Sequence, residues 1–174
     1  MSLKVSDNLL TSDDCFTCKK CCRYEPDELM DAPMFTEDQK EKLQSEFRIM
    51  DIRFEQIGKL WRIMLNDISG SEKKICPLYD IESGHCEGYK LEIFDCLTWP
   101  FYIMRKGDDI FITVSNDCPT MGRHDTEVLK NYALHHIGPK MVDAAEVNPD
   151  LITSLHGNVE ILCNINETKK KDEK

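Results

Sequence analysis

The chain has 174 residues, 41% of them hydrophobic and 31% charged, with a mean hydropathy of -0.45, a globular composition rather than a disordered one. Its formal net charge of -10 would repel a polyanion, which argues against nucleic acid as a partner. No apolar run approaches the roughly 20 residues of a membrane-spanning helix, so a soluble protein with no membrane partner is expected.

In chain order, residues 1–14 (MSLKVSDNLLTSDD) show no periodicity and read as a polar leader. They lack an apolar core segment and a small-residue cleavage site, which places the expected location in the cytoplasm. Next comes DDCFTCKKCCRYEP, residues 13–26, with four of the nine cysteines at the spacing C-x2-C-x2-C-C. A surface helix is predicted in TEDQKEKLQSEFRIM, with Thr36 as N-cap, acidic residues in the first turn and Leu43, Phe47 and Met50 at helical spacing. KLWRIML, residues 59–65, fits either a strand or a buried helix.

Three further cysteines, Cys76, Cys86 and Cys96, fall ten residues apart. FYIMRKGDDIFITVS then predicts a β-hairpin, with Phe101–Arg105 and Ile110–Val114 flanking a turn at Lys106 to Asp109. Cys118 opens CPT just after it. In DTEVLKNYALHHI, Asp125 precedes a helical pattern of Val128, Leu129, Tyr132 and Leu134, which Gly138-Pro139 is expected to end. A second helix is predicted from Lys140 to about Val147, then a helical turn and a short strand in PDLITSLHGNVEILCNI. Residues 166–174 read as a charged tail. No repeat or linker divides the chain, so the expectation is one small α+β domain over 15–165 with helices, a β-hairpin and a cysteine-rich metal-binding core.

Reducing cytosol disfavours structural disulfides, leaving metal binding or redox chemistry as the usual reasons for many cysteines. Thiolates are soft ligands for zinc and iron–sulfur centres, each commonly held by four sulfurs. Eight cysteines, Cys15, Cys18, Cys21, Cys22, Cys76, Cys86, Cys96 and Cys118, suffice for two such sites. Adjacent side chains diverge on a strand or a helix, so Cys21 and Cys22 are expected to be poor joint ligands: each serves a different site, or one is a free thiol. Cys163, in the apolar pattern VEILCNI, reads as a core thiol, and His85 as a turn residue beside Cys86. Trp61, Trp99, Phe101 and Tyr102 read as core aromatics, with a wall around a cluster as the alternative. Lys19, Lys20 and Arg23 are placed either to screen thiolate charge or to face solvent.

Together, CFTCKKCC, CPLYDIESGHCEGYKLEIFDCLTWPF and CPT resemble the CxxCxxCC family, the YkgJ-like zinc- or iron-chelating domain, over about residues 15–119. Some of its members are described as flagellin N-methylases. The resemblance implies that the eight cysteines named above are its metal ligands. Cys86, Tyr89, Cys96 and Pro100 keep the register of the family's middle block. Glu92 and Ile93 replace its usual Arg-Pro, Leu97 replaces the Arg after the cysteine, and Lys20 replaces a Gly. Without those arginines there is no bidentate fork for an anion, so the resemblance implies metal chelation more strongly than catalysis.

The C-x2-C-x2-C triplet matches the start of a bacterial ferredoxin loop, which favours an iron–sulfur cofactor, with zinc as the alternative. The expected function is binding of one or two such centres, with electron transfer to a protein or redox partner. A lysine N-methyltransferase and a structural zinc module are the alternatives. Neither G-x-G-x-x-G nor C-x3-C-x2-C occurs, so no methyl-donor site is legible and no catalytic residue is assigned.

Overall fold

A computed structural model describes residues 9, 14, 18, 20–47, 51–84, 86 and 93–168. It is mixed helix and sheet, 39% helical and 27% strand, the α+β composition expected. Where one domain over 15–165 is expected, the chain forms two compact units: residues 15–97, and residues 98–174 with most of 1–14. No helix among the described residues is long and apolar enough to cross a membrane.

Residues 15–97 run through β1 (Arg23–Tyr24), β2 (Met34–Phe35), α1 (Glu37–Glu46), β3 (Phe54–Ile57), β4 (Leu60–Ile63), β5 (Asn66–Asp67), β6 (Lys74–Ile75) and α2 (Phe94–Thr98), whose last residue opens the other unit. Thr36 caps α1 through a capping box. The Gln39 amide donates to the Thr36 hydroxyl at 3.3 Å, and the Thr36 amide donates to the Gln39 side chain at 3.0 Å. Of the helix, Leu43 is buried. The ambiguous KLWRIML resolves as strand: β4 buries Leu60 and Ile63 and lies between β2 and β3 in one antiparallel sheet. A second sheet has the order β1-β6-β5. Their shared core holds Tyr24, Phe35, Leu43, Ile63, Leu78 and Ile93, with Phe35 and Phe54 edge to face at 5.4 Å. Met50 of the predicted helix lies outside the described residues.

Residues 98–174 contain β7 (Phe101–Lys106), β8 (Asp109–Ser115), α3 (Thr126–Tyr132), a π-helical turn (Ala133–Ile137), α4 (Gly138–Val147), β9 (Thr153–Ser154), β10 (Val159–Asn164) and α5 (Ile165–Thr168). The predicted hairpin forms with a tighter turn than expected. Lys106 pairs with Asp109, and Gly107 takes a φ of +62°, which glycine adopts without a Cβ clash. The sheet order is β10-β8-β7-β9, antiparallel except for β9 beside β7.

The expected stop at Gly138-Pro139 does not occur. Pro139 has no N–H to give the preceding turn, and the chain widens there instead of ending. The Gly138 amide bonds to the Ala133 carbonyl, five residues back, and α4 continues from it. A Cβ on Gly138 would sit 2.2 Å from that same oxygen, so glycine is required.

Candidate metal centre

Sheet register sets two distant cysteines of residues 15–97 opposite each other. In the β1–β6 pair Arg23 opposes Ile75 and Tyr24 opposes Lys74, so the next step outward sets Cys22 opposite Cys76. The Cys76 amide donates to the Cys22 carbonyl at 3.0 Å. The chain then turns, with the Tyr79 amide on the Cys76 carbonyl at 3.0 Å, and Tyr79 forms an antiparallel bridge with Cys86. Asp80 closes the loop between them: its carboxylate accepts the amides of Glu82 at 2.9 Å and Ser83 at 3.3 Å. Gly84 completes the reversal at a φ of +74°. Cys96 arrives on α2, beside Asp95, whose carboxylate accepts the Met34 amide at 2.8 Å and so ties α2 to β2.

Cys21 and Cys22 end the 3₁₀ turn Lys20–Cys22, with their sulfurs 4.0 Å apart. The expected divergence is not what the chain adopts. The Tyr24 hydroxyl donates to the Cys21 carbonyl at 2.8 Å, while Cys76 holds the Cys22 carbonyl, so both peptide groups are fixed by neighbours. Tyr24 and Asp95 were not singled out by sequence. The available signal for Tyr24 was its place two residues after the cysteine pair at the start of a strand.

Electrostatics identifies the same group of side chains. Burial pushes the Tyr24 phenol well above its ordinary pKa, and Cys76, Cys96, Cys21 and Cys22 push it further. The Cys76 thiol is pushed up to about 12, mainly by burial, with Cys86 and Cys21 adding to it and the Leu78 amide opposing. Cys21 is raised first by its hydrogen bond with Cys22 and then by desolvation. The Cys96 thiol is raised well above its ordinary value, first by desolvation and then by Cys76, Cys86, Cys21 and Asp95. Cys21 thus feels Cys22, Cys76 feels Cys86 and Cys21, and Cys96 feels Cys76, Cys86 and Cys21. Without a cation Cys21, Cys76 and Cys96 favour the protonated thiol, and a bound cation would invert that preference.

The remaining candidates are placed differently. Cys18 is exposed, and Cys15, Lys19, His85, Tyr89 and Glu92 lie outside the described residues. Cys118 belongs to residues 98–174, where it is buried and its carbonyl accepts the Met121 amide at 3.1 Å. Cys163 is buried in β10, its thiol pushed up to about 11 by burial and then by Glu167. Lys20 is paired with Glu28 at 2.6 Å, and Arg23 lies 5.9 Å from the centre of the Tyr79 ring. The aromatics divide between the units. Trp61 has the Lys40 amine 3.5 Å from its ring centre, whereas Trp99 meets Tyr102 edge to face at 5.7 Å and Phe101 packs on Tyr132 at 5.5 Å. His135 and His136 are exposed in the π turn, and the His156 ring contacts the Ser154 carbonyl at 2.6 Å.

Among the described residues, no three of His, Cys, Asp or Glu stand in metal-ligating geometry. The donor chemistry nevertheless suits a soft cation, and the Cys21–Cys22 separation of 4.0 Å is close to the about 3.8 Å between two thiolates on a tetrahedral zinc with 2.3 Å bonds. The eight described cysteines are all free thiols. No family model matches the chain, and no curated protein or solved structure matches it either, so the likeness to the CxxCxxCC family stands on the cysteine spacing.

Proposed function

We propose that the protein binds a thiolate metal centre, iron–sulfur or zinc, through Cys21, Cys22, Cys76, Cys86 and Cys96, with Cys15 and Cys18 as further ligands supplied by the same unit. One observation carries this reading: the hydrogen bond from the Cys76 amide to the Cys22 carbonyl extends the β1–β6 register and brings together cysteines more than fifty residues apart in sequence. Cys118 enters through the cysteine pattern and the family resemblance and not through this register. An iron–sulfur centre would supply reversible electron transfer to a redox partner, and a zinc centre would supply structural support. The protein's own part is to hold the sulfurs near one another and to limit water around them. Free thiols throughout the described residues accord with a reducing, cytoplasmic setting. The lysine N-methyltransferase reading rests on resemblance alone.

Anaerobic purification followed by visible absorption and by iron, sulfide and zinc analysis tests the proposal. Stoichiometric metal that Cys76→Ser abolishes and Cys163→Ser retains is the expected result. A chain that folds without metal, and binds none when it is supplied, overturns the reading.

A further inference from the structure

We infer that Cys21 and Cys22 form a thiol switch, closing reversibly into a disulfide between neighbouring residues on exposure to a small-molecule disulfide such as oxidised glutathione. One cysteine sulfur displaces a glutathione thiolate to give a mixed disulfide, and the neighbouring sulfur then displaces the second glutathione. The two protein thiols lose two electrons and two protons, and one glutathione disulfide becomes two glutathione thiols. The switch itself needs no metal. Its consequence for the centre rests on the proposed function, since a closed bridge withdraws two of the proposed ligands.

The sulfurs are in contact at 4.0 Å, so a bond of about 2.05 Å asks each to move only roughly 1 Å. Both side chains are half-buried rather than sealed in, within reach of a small disulfide. The peptide that joins them lies outside the β1–β6 ladder, which pairs Arg23 with Ile75 and Tyr24 with Lys74, so it can turn while the ladder stays paired. Adjacency also sets the character of the bond. Neighbouring Cα atoms stand about 3.8 Å apart, short of the roughly 4.4 Å at which bridged cysteines usually begin. The bridge is therefore strained, and strained disulfides are the labile, regulatory ones. The hydrogen bond to Cys22 keeps the proton on Cys21, so closure is slow and follows sustained oxidant.

The test is mass spectrometry of the full-length protein, isolated anaerobically, held with oxidised glutathione, alkylated and digested with trypsin. Cleavage after Lys20 and Arg23 isolates Cys21 and Cys22 in one peptide with no other cysteine, so a bridge between them shows as an unalkylated peptide lacking two hydrogens. That peptide is the expected result, whatever metal the protein holds, with full alkylation restored by reduced glutathione and any bound metal released as the bridge forms. Cys21→Ser and Cys22→Ser should each leave a lasting glutathione adduct on the remaining sulfur, which has lost its neighbour. A pair that stays fully alkylated after the oxidant, or a bridge from either sulfur to Cys76 or another cysteine, overturns the inference, and neither result needs a variant to fold. Metal binding without the bridge sinks the switch and leaves the metal-binding proposal standing; the bridge in a chain that binds no metal does the reverse.

Discussion

Between residues 98 and 174, β7, β8 and β10 run six or seven residues and pair along most of their length. Between residues 15 and 97, four of the six described strands are only two residues long. Long strands give each sheet face enough apolar area to fix its own register. Two-residue strands do not, and their pairing has to be imposed from outside the ladder. In residues 15–97 the available means are the core around Phe35, the Asp95 bond to Met34 and the gathered cysteines. The comparison teaches that metal and core substitutions should act on this unit, whereas titration of a buried strand thiol should act on the other.

Removal of the proposed metal should produce the largest difference. A structural thiolate metal couples to folding on the order of 10 kcal/mol, so chelation should collapse amide protection in residues 15–97 and leave β7, β8 and β10 protected. Hydrogen exchange resolved along the chain checks this. Uniform loss, or none, would break the distinction between the units.

A smaller effect is expected at Phe35, which is fully buried and meets Phe54 edge to face. Phe35→Ala should cost about 4 kcal/mol, read by denaturant unfolding, with increased exchange in β2, β3 and β4. Exchange that rises equally in β10 would show that the two units unfold as one.

Cys163 sharpens the comparison from the other side. Its thiol ionises near 11 in the fold, against an ordinary value of 9.0. Between those values the unfolded chain loses the proton while the folded chain keeps it. Stability is therefore full below about pH 9 and falls as pH rises toward 11, by roughly 2 kcal/mol in all. Denaturation of wild type and Cys163→Ala at pH about 8 and about 11 should show a steeper decline in wild type; parallel declines would assign the loss to other groups.

Thr36→Ala should have the least effect. It removes one half of the α1 capping box, worth about 1 kcal/mol. Its influence should stay within residues 15–97, and a shift in the midpoint without a change in denaturant slope would confirm a purely energetic effect.

Local signals made the regular elements legible. The capping pattern at Thr36, the turn at Gly107 and the apolar pattern before Val147 each act within a few residues, and each element formed where its signal lay. β1, β5 and β6 were not legible, because two residues cannot display an alternation. The π turn was hidden for a different reason: Gly138-Pro139 normally ends a helix, and only the Gly138 bond to Ala133 shows that the chain goes on. For the candidate centre, spacing singled out the cysteines, but the opposition of Cys22 and Cys76 depends on a register set more than fifty residues apart. The contact of Cys21 with Cys22 ran against the side-chain geometry of any regular element, since it arises in a 3₁₀ turn with both carbonyls held.

Along α3 and α4, Leu129, Ala133, Ile137, Met141 and Ala145 are all buried, one at every fourth position. On an unbroken α-helix a stripe with that spacing drifts about 40° per step and would have turned about 160° by its end. The wider turn at Ala133–Ile137 takes up part of this drift, so the stripe can keep one angular phase across both helices. Substitution at exposed His135 or His136 leaves that phase alone. Deleting a single residue from the turn would rotate everything after it by about 100°, bringing Val142 to the place of Met141 and the charged Glu146 to that of Ala145. This rod tolerates changes of composition far better than a change of length.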